Sequence, residues 1–215
     1  MAKTVVVLGM HRSGTSAVAG MLHKLGVNMG DNLYPPDHGN PQGHFEDIDF
    51  MEANTAILRA AGGEWHNPPS DFQIRVFGAR EGQQVIDLIN ERNDKRSIWG
   101  FKDPRTCLTL PLYLPHLTDP LFVVVDRCCK EVANSLHRRD GIAFHHQHDN
   151  EALCEEYKSR LESGLRLVER SAILRLQFSN VLNAPQEVAS FLARAIGTSP
   201  TELQFSTAVE LITQR

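Results

Sequence analysis

The first sixteen residues constrain this chain more than any other stretch. Thr4-Val5-Val6-Val7-Leu8 is a short β-branched apolar run, and it passes directly into Gly9-Met10-His11-Arg12-Ser13-Gly14-Thr15-Ser16. Beyond the glycines, Val18, Met21, Leu22 and Leu25 recur at helical spacing, and Gly26 supplies a stop. The order is strand, glycine loop, helix. Two glycines five apart let the backbone fold tightly, so that successive N–H groups converge at the positive end of the helix. Such a point binds a phosphate or a sulfate.

The loop departs from the nucleotide-triphosphatase motif at one decisive place. That motif carries a lysine after its second glycine, which reaches the β- and γ-phosphates; here Thr15 stands there. The positive charge lies inside the loop instead, at Arg12, whose guanidinium can fork onto two oxygens of one anion. In this form His11-Arg12-Ser13-Gly14-Thr15-Ser16 resembles the loop with which sulfotransferases grip the 5′-phosphosulfate of 3′-phosphoadenosine-5′-phosphosulfate (PAPS). The arginine version is similar to that of tyrosylprotein sulfotransferases and many bacterial homologues. The resemblance implies a P-loop-type α/β domain, a three-layer αβα sandwich around a central parallel sheet.

At 215 residues the chain is long enough for one such domain, over 1–215, and too short for two of ordinary size. A formal charge of −4 argues against nucleic acid as a main partner. Cys107, Cys128, Cys129 and Cys154 show neither a disulfide framework nor paired CxxC spacing for zinc, so a reducing compartment is expected. The chain enters its first strand at once and has no apolar run of bilayer length. The expectation is a cytoplasmic protein without signal peptide or membrane anchor.

Residues 30–43 are rich in Pro, Asn, Asp and Gly and read as a long loop over the ligand site, followed by a helix over 48–61. Gly43-His44-Phe45-Glu46-Asp47 resembles a Gly-aromatic-Glu-Asp segment of bacterial sulfotransferases, and that likeness makes Glu46 the candidate general base. Glu46 and Asp47 read equally as helix caps, and His44 is a further possible base. Around Trp65 the chain breaks at Gly62-Gly63 and Asn67-Pro68-Pro69, either bordering an acceptor pocket or forming a surface loop. An amphipathic helix is expected over 79–91.

Residues 97–101 read as a buried strand ending in Lys102-Asp103-Pro104-Arg105. Ligands in open parallel sheets lie off the carboxyl ends of strands, where this tetrad falls. Lys-Asp-Pro resembles a segment of tyrosylprotein sulfotransferases whose lysine assists the departing phosphosulfate, a role that passes to Lys102 by the likeness; otherwise Lys102 is a solvated charge, and Asp103 and Arg105 simply pair. After a helical connection, residues 121–125 form another buried strand, and Arg127 and Ser135 stand eight apart beyond it. This resembles the family's 3′-phosphate motif, with Cys128-Cys129 replacing its Asn-Pro pair. Arg127 reads otherwise as a surface salt bridge.

Asp126, after four apolar residues, also reads as the magnesium aspartate of a small P-loop kinase. The missing loop lysine opposes that, and sulfuryl transfer needs no metal. His137, His145, His146 and His148 flank Arg138-Arg139-Asp140-Gly141 at spacings that match no metal site, reading as a cationic lid or a plain loop. A long helix over 151–169 and a strand over 172–176 follow. Residues 177–197 resemble the family's closing strand, turn and helix, with Gln177-Phe178-Ser179 in place of Tyr-Glu-Asp. The Arg-Lys-Gly segment of cytosolic sulfotransferases is missing.

The resemblance implies sulfuryl transfer from PAPS, leaving 3′-phosphoadenosine-5′-phosphate (PAP), to a hydroxyl or amine of a small-molecule, glycan or peptide acceptor. His11, Arg12, Ser13, Gly14, Thr15 and Ser16 would hold the phosphosulfate, with Arg12 also catalytic. Arg127 and Ser135 would hold the 3′-phosphate, Glu46 would activate the acceptor and Lys102 the leaving group. A small kinase using magnesium-ATP and a non-catalytic PAP-binding protein are the competing readings.

Overall fold

The computed structural model describes residues 2–38, 40–140 and 149–213. Four strands, β1 (Lys3–Leu8), β2 (Ile98–Lys102), β3 (Pro120–Asp126) and β4 (Ile173–Gln177), form one sheet in the order β2-β1-β3-β4, and every neighbouring pair is parallel. Each lies within about one residue of its expected position. β1, β2 and β3 are largely apolar and buried because both of their faces are covered, whereas the edge strand β4 carries the exposed Arg175 and Gln177. Val5, Val7, Val123, Val125 and Leu176 pack on one side against α1 (Thr15–Lys24), and Val6, Leu8, Phe101, Phe122 and Val124 pack on the other against α2 (Ile48–Ala60). The period-two alternation of the pleat divides one set of valines between two cores.

On the α2 side the chain adds α3 (Asp71–Gln73), a π-type turn over Ile74–Gly78, α4 (Gly82–Lys95), α5 (Thr106–Tyr113), α6 (Cys129–Asp140) and α7 (Asn150–Leu165). On the α1 side, after α8 (Phe178–Asn183), come α9 (Pro185–Ile196) and α10 (Glu202–Thr213). The arrangement is the three-layer αβα sandwich with a central parallel sheet. The register sets Val7 beside Lys102 and Leu8 beside Val124, so the segments that leave β1, β2 and β3 emerge along one edge. Strand order reverses at β1, which makes that edge the crevice of the fold.

Two expectations are corrected. Residues 177–197 contain no strand after β4: Pro185 occupies the first turn of α9, where its fixed φ suits a helix, and Val188, Ala189, Leu192, Ala193 and Ile196 bury one helical face. The cysteines are also not all free. Cys129, at the start of α6, is joined to Cys154 in α7 with Cα atoms 5.5 Å apart, while Cys107 is buried and Cys128 exposed, both unpaired. This pair depends on α6 packing against α7, which sequence spacing does not display, and it removes the ground on which a reducing compartment was expected. The amphipathic helix expected over 79–91 runs over Gly82–Lys95. Gly141, His145, His146 and His148 lie outside the described residues. Among the described residues no helix is long and apolar enough to cross a membrane.

Candidate active site

The loop after β1 alternates in hand. Arg12 (φ 66°) and Gly14 (φ 94°) are both left-handed, with Ser13 between them donating its N–H to the Met10 carbonyl at 3.0 Å. Such alternation curls a backbone into a concave cradle for an anion. A Cβ on Gly14 would lie 2.1 Å from the Phe178 ring, so only glycine allows this approach. Gly14 also precedes α1, whose N-terminus has no side-chain cap. Its first-turn amides and dipole therefore face the crevice.

Glu46 and Lys102 meet over this terminus. Lys102 ends β2 with its side chain 2% exposed, and its Nζ donates to Glu46 Oε1 at 2.6 Å and to Ser16 Oγ at 3.1 Å. It is not a solvated charge. The capping task falls to Asp47, which accepts from the Asp49 N–H at 3.1 Å and is held by Arg92 Nη2 at 3.1 Å. Relieved of the cap by its neighbour, Glu46 turns toward Lys102. Burial pushes the Glu46 carboxyl up, but the charge and hydrogen bond of Lys102, with the charges of Arg105 and His44, outweigh it and hold Glu46 below the usual carboxylate range. It is ionised at neutral pH.

The third group joins the loop to β3. Arg12 Nε donates to Ser135 Oγ at 3.0 Å, and Arg127 Nη1 donates to the Arg12 carbonyl at 3.0 Å. Arg127 also bonds the exposed Glu131 at 2.9 Å and lies 5.0 Å above the Phe178 ring, so the salt bridge and the site position coexist. Of the ten residues singled out from the sequence, His11, Arg12, Gly14, Thr15, Ser16, Glu46, Lys102, Arg127 and Ser135 line one cleft of about 180 Å³. Ser13 does not; it is buried beneath the turn.

No family model matches the chain, and no curated protein matches it by sequence. Solved structures do match. Sulfotransferase STF9 from Mycobacterium avium superposes with a TM-score of 0.58 at 13% identity, over 100% of this chain and 68% of that one. For sulfotransferase STF1 from Mycobacterium tuberculosis H37Rv the values are 0.57, 14%, 100% and 72%. For the sulfotransferase domain from the Synechococcus PCC 7002 olefin synthase they are 0.56, 16%, 94% and 75%. The chain has the fold of these sulfotransferases.

Within that fold the cleft also takes residues beyond those ten, among them His44, expected only as a further possible base, and Arg139, expected only as part of a cationic lid or a plain loop. Asn40, Pro104, Arg139 and Phe178 line the cleft, as does His44. Phe178 follows β4 directly, so the strand-end rule that singled out Lys102 and Arg127 points to it as well. His11 packs against Trp65 with ring centroids 4.7 Å apart, and Arg139 lies 5.4 Å over the same indole, so Trp65 borders the cleft wall. Burial pushes the His11 imidazole well below its usual pKa, and the charges of Arg105, Arg139, Lys102 and Arg12 act in the same direction. It is neutral at neutral pH.

Asp126 does not face the cleft. It pairs with Lys158 at 2.6 Å and accepts from Gln177 at 3.1 Å, on the side of α7 and β4. Asp103 and Arg105 do pair, at 2.6 Å. Among the described residues no group of three or more His, Cys, Asp or Glu side chains is placed to hold a metal ion.

Proposed function

We propose that this chain transfers a sulfuryl group from PAPS to a hydroxyl or amine of a small-molecule, glycan or peptide acceptor. The observation that carries the reading is the meeting, in one cleft, of an anion cradle, an ionised carboxylate paired with a buried lysine, and a second arginine with a serine. The sulfotransferase fold of the chain supports it. The cleft also suits the donor chemically: Arg12, Arg127, Lys102, Ser16 and Ser135 present donors, and Gly14 lets the loop lie against the Phe178 ring, where any Cβ would clash.

PAPS, when bound, supplies an activated sulfuryl group on a phosphate leaving group. The loop and Arg12 hold its 5′ end, and Arg127 and Ser135 hold its 3′-phosphate. Glu46 takes the proton of the acceptor hydroxyl as that oxygen attacks. Lys102, fixed by Ser16 and Glu46, places positive charge where the departing phosphate gains negative charge. The loop, Lys102 and Arg127 are mounted on three strand ends, and Glu46 and Ser135 are brought to them by α2 and α6, which provides the orientation that in-line transfer requires. A magnesium-ATP reading fits less well, because Thr15 replaces the lysine and Asp126 is engaged by Lys158 and Gln177. Simple PAP binding would not need Glu46 held ionised beside Lys102.

Calorimetric titration with PAP and with ADP, with and without magnesium, tests the donor. PAP is expected to bind without metal and more tightly than ADP, and Arg127→Ala to weaken PAP by about 10- to 100-fold, the worth of a hydrogen bond to a charged group. Preference for ADP with magnesium would overturn the reading.

A further inference from the structure

Glu46 and Lys102 approach each other from different elements. Glu46 stands just ahead of α2 and Lys102 ends β2, where Phe50 of α2 stacks on Phe101 with centroids 4.3 Å apart; beyond that apolar contact, their 2.6 Å pairing depends on whatever polar group fastens α2 to the turn that follows β2. The Asp47–Arg92 pair does not, since it joins α2 to α4. The Ser16–Lys102 bond does not either, since it joins β2 to α1.

Asn54, on α2 and fully buried, makes the connection. Its Nδ2 donates to Asp103 Oδ2 at 2.8 Å and to Thr106 Oγ1 at 3.0 Å; its Oδ1 accepts from Thr109 Oγ1 at 2.5 Å and from the Tyr113 hydroxyl at 2.9 Å. An amide with both donors and both acceptors engaged has one orientation. Asp103, next to Lys102 and also fully buried, turns its other oxygen to Arg105 Nη1 at 2.6 Å. The network therefore runs from α2, through one amide, into the turn between Lys102 and α5.

We propose that Asn54 is a positioning residue: its amide clamps α2 to the Asp103 turn and thereby holds Glu46 against Lys102. That this contact matters for catalysis rests on the sulfuryl-transfer reading; the clamp itself does not. The groups facing Glu46 are Lys102 from β2, Asp103 and Arg105 from the turn, and His44 from its own loop. Of these, Lys102 counts most toward keeping Glu46 ionised, so a loosened clamp lets the burial of Glu46 prevail.

The test reads the Glu46 carboxyl directly, by carbon-13 NMR titration assigned through its loss in Glu46→Gln. Asn54→Leu, similar in shape but without hydrogen bonds, and Asn54→Asp, which sets two carboxylates together, are each expected to move the Glu46 titration up by about one pH unit or more. Asn54→Asp combined with Asp103→Asn exchanges donor and acceptor but keeps the bond, and is expected to bring the titration back. Tyr113→Phe, a milder loss, is expected to shift it in the same direction by less, and stands in if the Asn54 single variants do not fold. An unshifted Glu46 in a folded Asn54→Leu, or in Tyr113→Phe where that variant stands in, overturns the proposal. So does a folded exchange variant that fails to restore the titration. PAP calorimetry on the wild type separates the two readings: failure to bind PAP sinks the sulfuryl-transfer reading, while the Glu46 titrations still decide on the clamp.

Discussion

Glu46→Gln is expected to lower the turnover of PAPS at least about 100-fold, the usual contribution of a general base, while PAP binds at least as tightly as to the wild type. An amide cannot take the acceptor's proton at neutral pH. The substitution also leaves Lys102, 2% exposed, without its counter-charge, and that unopposed ammonium lies in the cleft, where it attracts anions. Release of PAP from PAPS gives the rate, and calorimetry gives the affinity. Unchanged turnover would remove Glu46 from the role of base.

The same pair sets the pH dependence. Because the folded protein holds Glu46 below the usual carboxylate range, the base form persists through neutral pH, and turnover should fall only in acid below that range. The stabilisation from the pair follows the same sign: it is complete above the unfolded carboxyl's pKa and is lost as pH falls through the lower folded value. Lys102→Met should behave in the opposite way. Burial then acts on Glu46 without the nearest charge, the carboxyl rises, and the acid limb of the profile moves toward neutrality. An acid limb that stays where the wild type has it would show that Lys102 does not govern Glu46.

What the sequence made legible were features whose chemistry is local. A β-branched run before a glycine loop, or an apolar run before Lys102 or Arg127, carries its meaning in adjacent residues, and the strand-end rule then placed all of them on one edge of the sheet. The division of labour between Glu46 and Asp47 was not legible, because it turns on Arg92, which comes from α4 to hold Asp47. Phe178 falls under the same strand-end rule, but what it does, covering Gly14 and lying under Arg127, rests on contacts with other segments of the chain. Asn54 lies within the helix expected over 48–61, and nothing in its sequence neighbourhood marks it out. Its four buried partners lie on β2's turn and α5, and sequence periodicity carries no sign of them.

Loss of the Cys129–Cys154 bridge is expected to cost about 3.5 kcal/mol of stability, from the entropy of a closed loop of this length, and to lower Tm by roughly 7–14 °C. The bridge spans a sequence separation of 25 residues. It joins the start of α6, two residues after Arg127, to α7, where Val132 and Leu136 share a core with Leu153 and Tyr157. Because α6 carries Ser135, which Arg12 reaches, the helix that the bridge braces is the one that completes the cleft. PAP affinity should therefore fall together with Tm in Cys154→Ala and in reduced wild type, although no residue of the bridge lines the cleft. Thiol labelling checks that the bridge is present. Cys128 is exposed and should react quickly, whereas burial pushes the Cys107 thiol up to about 12 and keeps it inert, so the oxidised native protein should show one fast thiol. Identical melting with and without reductant would mean that α6 is held by packing alone.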